Sequence, residues 1–358
     1  MKNTFKMFLA VLSSLVISVS SYAGELSVSG SAEATYIIGG ADDSNSKGLG
    51  ISNELNFTAS GEFGNGYTWS YSMELDGADA AANDDSALVL GLADLGTVGI
   101  FVSEGGLSQE LSYGVGSYAV GSDAVNTGGL ERGRDLSDYN NIQYHLPAGV
   151  LPFGITAKAG YAPNLNAADG ASAKEGNAVE GNTSASGIST ATQVGKDASM
   201  YQLTATPIDG LTVGVDYFTA NGSTATKQKY EAGNAFAKYA MGPVVIGYGV
   251  TRIAPNVGTA STDIAEYDNR HYGIQFALND QISVSANKET SERSTAGIIT
   301  AGQTTRIKTT IEAETTTYQA AYNIGGATLA LVKSTSDDAG YSANKEVDMT
   351  LVSLKMAF

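Results

Sequence analysis

The chain has 358 residues, 20 of them basic and 37 acidic, giving a formal net charge of −17, and it contains no cysteine. This balance argues against the extended basic face that a nucleic-acid backbone needs, so nucleic acid is not an expected partner. The missing thiols exclude disulfides and Cys-ligated metals as sources of stability. A mean hydropathy of −0.06 with 43 Gly and 19 Tyr fits neither a soluble helical protein nor a helical membrane protein.

At the N-terminus, Lys2 and Lys6 precede the apolar run Met7 to Val19 and the small residues ending Ser21-Tyr22-Ala23. Residues 1–23 therefore read as a cleaved secretory signal. The 13-residue run is shorter than the ~20 residues a membrane helix needs. Its removal leaves residues 24–358 as a single domain, with 18 basic against 37 acidic groups and a formal charge of −19. No later stretch of 18 apolar residues occurs, so no spanning helix is expected.

From residue 25 onward the dominant pattern is alternation with period two, which puts alternate side chains on opposite faces of a strand. Leu26, Val28, Ala32, Ala34, Tyr36 and Ile38 share one face; Ser27, Ser29, Ser31, Glu33 and Thr35 share the other. Tyr67, Trp69, Tyr71, Met73 and Leu75 alternate with Thr68, Ser70, Ser72 and Glu74. The chain closes on Val352, Leu354, Met356 and Phe358 opposite Leu351, Ser353, Lys355 and Ala357.

Tight turns are predicted at Gly64-Asn65-Gly66, Asp94-Leu95-Gly96, Pro147 to Pro152, Ile208-Asp209-Gly210, Met241-Gly242-Pro243, Asn279-Asp280 and Gly325-Gly326. Longer polar stretches lie near 39–49, 77–85, 104–138, 163–198, 220–228, 253–266, 291–312 and 336–345. Seven short turns and eight long loops require sixteen strands. Short connections on one side and long ones on the other are the layout of an all-β transmembrane barrel, with turns in the periplasm and loops outside. Closure follows because each unpaired backbone group in hydrocarbon costs several kcal/mol. The apolar face then meets outer-membrane lipid and the polar face lines a water-filled lumen.

Strand parity places Glu33, Glu54, Glu62, Glu74, Asp216, Lys158, Lys238 and Lys355 on that lumen wall. Acids outnumber bases, which predicts a weak preference for cations among the small hydrophilic solutes and ions that would pass. Tyr36, Tyr67, Trp69, Tyr201, Tyr217, Tyr248, Tyr272 and Tyr322 suit aromatic girdles at the two interfaces.

The chain resembles the Gram-negative general porins, particularly those of alpha-proteobacterial type. The resemblance rests on the opening Glu25 to Gly30, the segment Ser86 to Ser103, the strand Asp138 to Leu146 and the closing Val347 to Phe358, taken in that order. It implies a homotrimer in the outer membrane and a third long loop folded into the pore as a constriction. It also implies a terminal Phe358 that signals to the barrel-assembly machinery. The segment Glu104 to Asp138 occupies the place of that loop; its charges are Glu104, Glu110, Asp123, Glu131, Arg132, Arg134, Asp135 and Asp138. The chain departs from many such porins in having no arginine cluster to set opposite this loop.

Asp43-Ser-Asn45-Ser-Lys47-Gly48 followed by Glu54 matches a calcium-loop spacing except at Lys47, which puts a cation where a ligand oxygen belongs. No cofactor is expected beyond weak divalent-cation binding at loop carboxylates such as Asp42, Asp43, Asp84 and Asp85. The two histidines, His145 on a lumen face and His271 near a strand end, lack the motifs of a hydrolase or metalloenzyme, so no enzymatic activity is expected. A non-conducting surface or adhesive protein is the rival reading, but that role does not require long loops all on one side.

Overall fold

The computed structural model describes residues 25–39, 48–76, 82–118, 130–163, 165, 197–221, 229–255, 264–296 and 308–358. Sixteen strands run through them. The first four are β1 (Glu25–Gly39), β2 (Gly48–Gly64), β3 (Tyr67–Asp76) and β4 (Ala82–Leu92). Three short strands follow, β5 (Thr97–Val102), β6 (Asn141–His145) and β7 (Thr156–Ala162), and then β8 (Ala198–Ile208). Next come β9 (Leu211–Ala220), β10 (Tyr230–Met241), β11 (Val244–Ala254) and β12 (Ile264–Ala277). The last are β13 (Ile282–Ala296), β14 (Lys308–Ile324), β15 (Ala327–Asp337) and β16 (Val347–Ala357).

Every strand pairs antiparallel with its sequence neighbours, and β1 pairs with β16 to close the barrel. An even strand count makes this possible, because the first and last strands then run in opposite directions. The seam runs from Ser31 against Ala357 to Gly39 against Met349. Beyond it the Gly30 and Phe358 backbones exchange hydrogen bonds of 2.8 and 3.0 Å. No edge is left to lipid or to another chain.

All seven predicted turns join strands where expected. At the first, Gly64, Asn65 and Gly66 all have positive φ (93°, 55° and 81°), which two glycines and an asparagine adopt at little steric cost. Two loops are shorter than the polarity of the sequence suggests. β4 begins at Ala82, inside the stretch read as loop, and β13 and β14 remain paired as far as Ala296 against Lys308. Backbone pairing needs no apolar side chain, so a ladder continues past the point where the apolar alternation fades.

The two faces divide as the alternation predicts. Large apolar side chains such as Leu26, Leu203, Val215, Ile246, Ile274 and Leu331 point outward and are exposed, whereas Gln202, Asn234, Asn269, Thr317 and Ser334 point inward and are buried. Near the loop ends of β8 to β12, however, the inward face turns apolar. There Met200, Phe218, Ala232, Ile253 and Tyr267 form one buried cluster with Leu107, Leu130, Leu136 and Tyr139 of the long β5–β6 connection. A core inside the lumen is thus what holds that connection.

Candidate pore constriction

The described parts of the β5–β6 connection, residues 103–118 and 130–140, enter the barrel and run along its inner wall. The two ends of the connection are tied first to each other. The Asp135 carboxylate accepts from the backbone N–H groups of Leu107 (2.7 Å), Ser108 (3.0 Å) and Leu136 (2.6 Å), capping the short 3-10 turn Leu136–Asp138. Asn141 donates to the carbonyls of Glu104, Leu136 and Tyr139, each at 3.0 Å. Charge-assisted bonds from backbone N–H to a carboxylate are among the stronger polar contacts available.

Inward-facing side chains of successive strands then hold the segment from below. Gln202 donates to the Leu107 carbonyl at 2.9 Å, and Asp216 accepts from Gln109 N–H at 2.5 Å. Asn234 donates to both Asp216 oxygens at 3.0 and 2.9 Å. Further round, Asn287 donates to the Val115 carbonyl at 3.1 Å. Gln319 exchanges two 2.9 Å bonds with the Tyr118 backbone, and the Tyr118 hydroxyl donates to Glu33 on β1. The segment therefore spans the lumen from β6, past β9 and β13, to the β1 seam. The returning limb is anchored by Asn269, which donates to the Glu131 carbonyl (2.8 Å), and by the Tyr341 hydroxyl, which accepts from Glu131 N–H (2.8 Å).

Close approach to the wall depends on missing side chains. A Cβ on Gly247 would stand 1.9 Å from the Tyr113 carbonyl oxygen, and one on Gly249 would stand 2.8 Å from its ring. Tyr113 is fully buried there and stacks on His271 with ring centroids 4.7 Å apart. These contacts went unread in the sequence. The available signal was a pair of glycines at lumen parity in β11, between the outward Ile246, Tyr248 and Val250, since glycine inside a strand often marks close backbone approach. His271 is also a correction: it sits in the middle of β12, buried, with Nδ1 3.8 Å from Glu289, and does not face water near a strand end. Pairing of β12 extends back to Ile264 and carries the position inward along the strand.

The predicted charges divide into three groups. Glu33, Glu54, Glu62, Glu74, Lys158, Lys238 and Lys355 lie on inward-facing positions of the wall, with Glu33 directly across the seam from Lys355. Asp216 also faces inward, but the loop covers it, and Glu110 is enclosed beside Arg132 and Gly133 of the returning limb, being only 6 % exposed. Both depart from the expectation that these groups meet the passing solute, because the loop's own backbone and Arg132 occupy the space beside them. Burial pushes the Glu110 carboxyl up to about 8 despite the nearby Arg132 guanidinium. Burial, followed by the bond to Glu33, pushes Tyr118 up to about 12.

Glu104, Glu131, Arg132, Arg134, Asp135 and Asp138 belong to the described parts of the loop, and Arg134 pairs with Asp138 at 3.6 Å. Asp123 lies outside the described residues, as do Asp42, Asp43 and the signal segment 1–23. Glu74, Asp85 and Glu104 bring carboxylate oxygens within 4.8 Å of one another. The four wall acids are therefore all on β1 to β3, while Lys158 and Lys238 stand near the turn ends of β7 and β10.

A closed sixteen-stranded antiparallel barrel with a long loop laid across its lumen is the fold of the porins. An anion-selective porin from Comamonas acidovorans superposes with a TM-score of 0.64 at 12 % identity, over 94 % of this chain and all of the other. The trimer form of OmpT, an outer membrane protein of Vibrio cholerae, superposes with a TM-score of 0.61 at 13 % identity, again over 94 % and 100 %. A mutant of the Rh. blastica porin gives 0.58 at 14 % identity over 93 % and 100 %. No protein-family model and no curated relative matches the chain.

Proposed function

We propose that the protein is a channel of the Gram-negative outer membrane, exported by its first 23 residues, that passes small hydrophilic solutes and ions by diffusion and catalyses no reaction. The observation that carries this reading is the pairing of an apolar outer face with a polar lumen narrowed by residues 104–118 and 130–138. Charges in a narrow passage with low-dielectric walls focus the field and set ion choice.

The passage favours cations on this reading, because Glu33, Glu54, Glu62 and Glu74 line one side with Lys355 as the base beside them. The carboxylates of Glu74, Asp85 and Glu104 are where a divalent cation would pause. The Comamonas acidovorans porin of the same fold is anion-selective, so the fold itself does not set the sign; the wall charges do. Phe358, exposed at the end of β16, is the segment offered to the barrel-assembly machinery.

Three such barrels associate through the outer wall of β1 to β5. Among the described residues of these strands, outward positions carry no charge, and Leu49 and Ile51 are 85 % and 73 % exposed. Purified protein in a planar bilayer under a salt gradient should give stepwise openings and a cation-favouring reversal potential. Equal permeabilities would remove the charge preference, and absence of conductance from folded protein would remove the channel itself.

A further inference from the structure

The outer wall is asymmetric, and the asymmetry defines a second surface. A hydrocarbon band ~25 Å tall corresponds to roughly ten residues of a strand tilted ~40°. Counted from the turn ends, that height falls near Glu231 on β10, Arg252 on β11, Asp268 on β12, Glu314 on β14 and Asp348 on β16. All are outward positions. β1 to β5 show no such charge among their described outward residues, so the belt is confined to one side of the barrel.

Within the belt, most cations are matched one to one. Lys288 pairs with Glu314 at 2.8 Å, Lys308 with Glu266 and Lys333 with Asp348. The exception spans β11 and β12, where Arg252 and Arg270 share the single carboxylate of Asp268 at 2.8 and 3.4 Å. Both guanidiniums are more than half exposed, whereas Asp268 is largely covered. Glu292 of β13 stands across from Asp268 in the register and flanks the pair.

Directly towards the turn side, on the same outward rows, lie Tyr248 and Tyr272, with ring centroids 5.2 Å apart. Below them are Ile246, Ile274 and Phe276, all exposed. Successive outward residues are about 6.6 Å apart along a strand. Guanidinium pair above, aromatic pair and apolar patch beneath thus follow in the order of phosphate and acyl chain in a membrane lipid. Arg is suited to this contact because its planar fork binds phosphate oxygens in pairs and is weakly hydrated.

We infer that the β11–β12 stripe, headed by Arg252 and Arg270 and floored by Tyr248 and Tyr272, docks the phosphorylated headgroup of an outer-leaflet lipid. The inference rests on the membrane placement proposed above but not on conduction.

Native mass spectrometry of the full mature chain, folded in detergent, tests it with dioleoyl phosphatidic acid as probe and dioleoylglycerol as its phosphate-free control. The expected result is preferential binding of the phosphorylated lipid, weakened about tenfold in the Arg252→Gln/Arg270→Gln double variant. Each single variant should lose part of the preference, and excess inorganic phosphate should not displace the lipid, since the acyl chains contribute to binding. Equal binding of the two lipids, an unchanged preference in the variants, or full displacement by inorganic phosphate would each overturn the proposal. Heat-dependent gel migration and single-channel conductance of the same variants separate the readings: retained binding without conductance counts against the channel alone, and retained conductance without binding against the lipid site alone.

Discussion

At the scale of the residue, Glu110 and Gly247 show how tightly the loop is seated. Glu110 is held mainly as the neutral acid by burial, with its carboxyl pushed to about 8. A carboxyl raised in the packed state favours packing fully below its free value, near 4.5, and that contribution is lost as pH rises through 8. The loop should therefore loosen between these limits on the alkaline side, and Glu110→Gln should flatten the dependence. The chain has no cysteine, so a spin label at Leu111→Cys, on an exposed neighbour, reports the change directly. Gly247 offers no room for a side chain beneath Tyr113. Gly247→Val should displace the loop at a cost of about 1–3 kcal/mol, visible as altered single-channel conductance with the barrel still resistant to unfolding in detergent.

At the scale of the element, the chemistry of the lumen belongs to individual strands. β1, β2 and β3 each contribute inward carboxylates, and the register sets Glu33 and Glu54 close to Ser52 and Ser31 on the same face. Glu33→Gln, Glu54→Gln and Glu74→Gln together should reduce the cation-favouring reversal potential to about half or less, with little change in conductance at high salt, where such fields are screened. A larger conductance at every salt concentration would mean instead that Glu33 acts chiefly as the Tyr118 anchor and that its loss frees the loop. These wall positions were legible in the sequence because parity survives along an unbroken strand. The burial of Asp216 was not, because parity says which face a residue joins and not what later covers that face.

At the scale of the whole molecule, the barrel presents two different outsides. Among the described residues, one carries apolar and small outward side chains, Ala32 and Ala34 among them, and no charge; the other carries the paired belt from β10 to β16. On the proposed three-barrel assembly, Ala34→Trp should leave a folded monomer in mild detergent in place of the trimer, because a large ring on a flat contact face blocks close approach but costs little against detergent. Mass measured by light scattering distinguishes the two states. An unchanged trimer would place the contact on another part of the wall.

The strand count, the seven turns, the orientation of both faces and the position of the long third loop along the chain were determined by the sequence alone. Each rests on local rules: alternation with period two, glycine and proline at turns, and an even count that allows closure. The tertiary structure alone decided which charges meet the lumen and which the loop hides, that Tyr113 lies on His271, and that two arginines share one aspartate on the outer wall. Those contacts join strands far apart in the chain, and their geometry is fixed by barrel register and by the fit of the loop to the wall, neither of which has a period that a sequence can display.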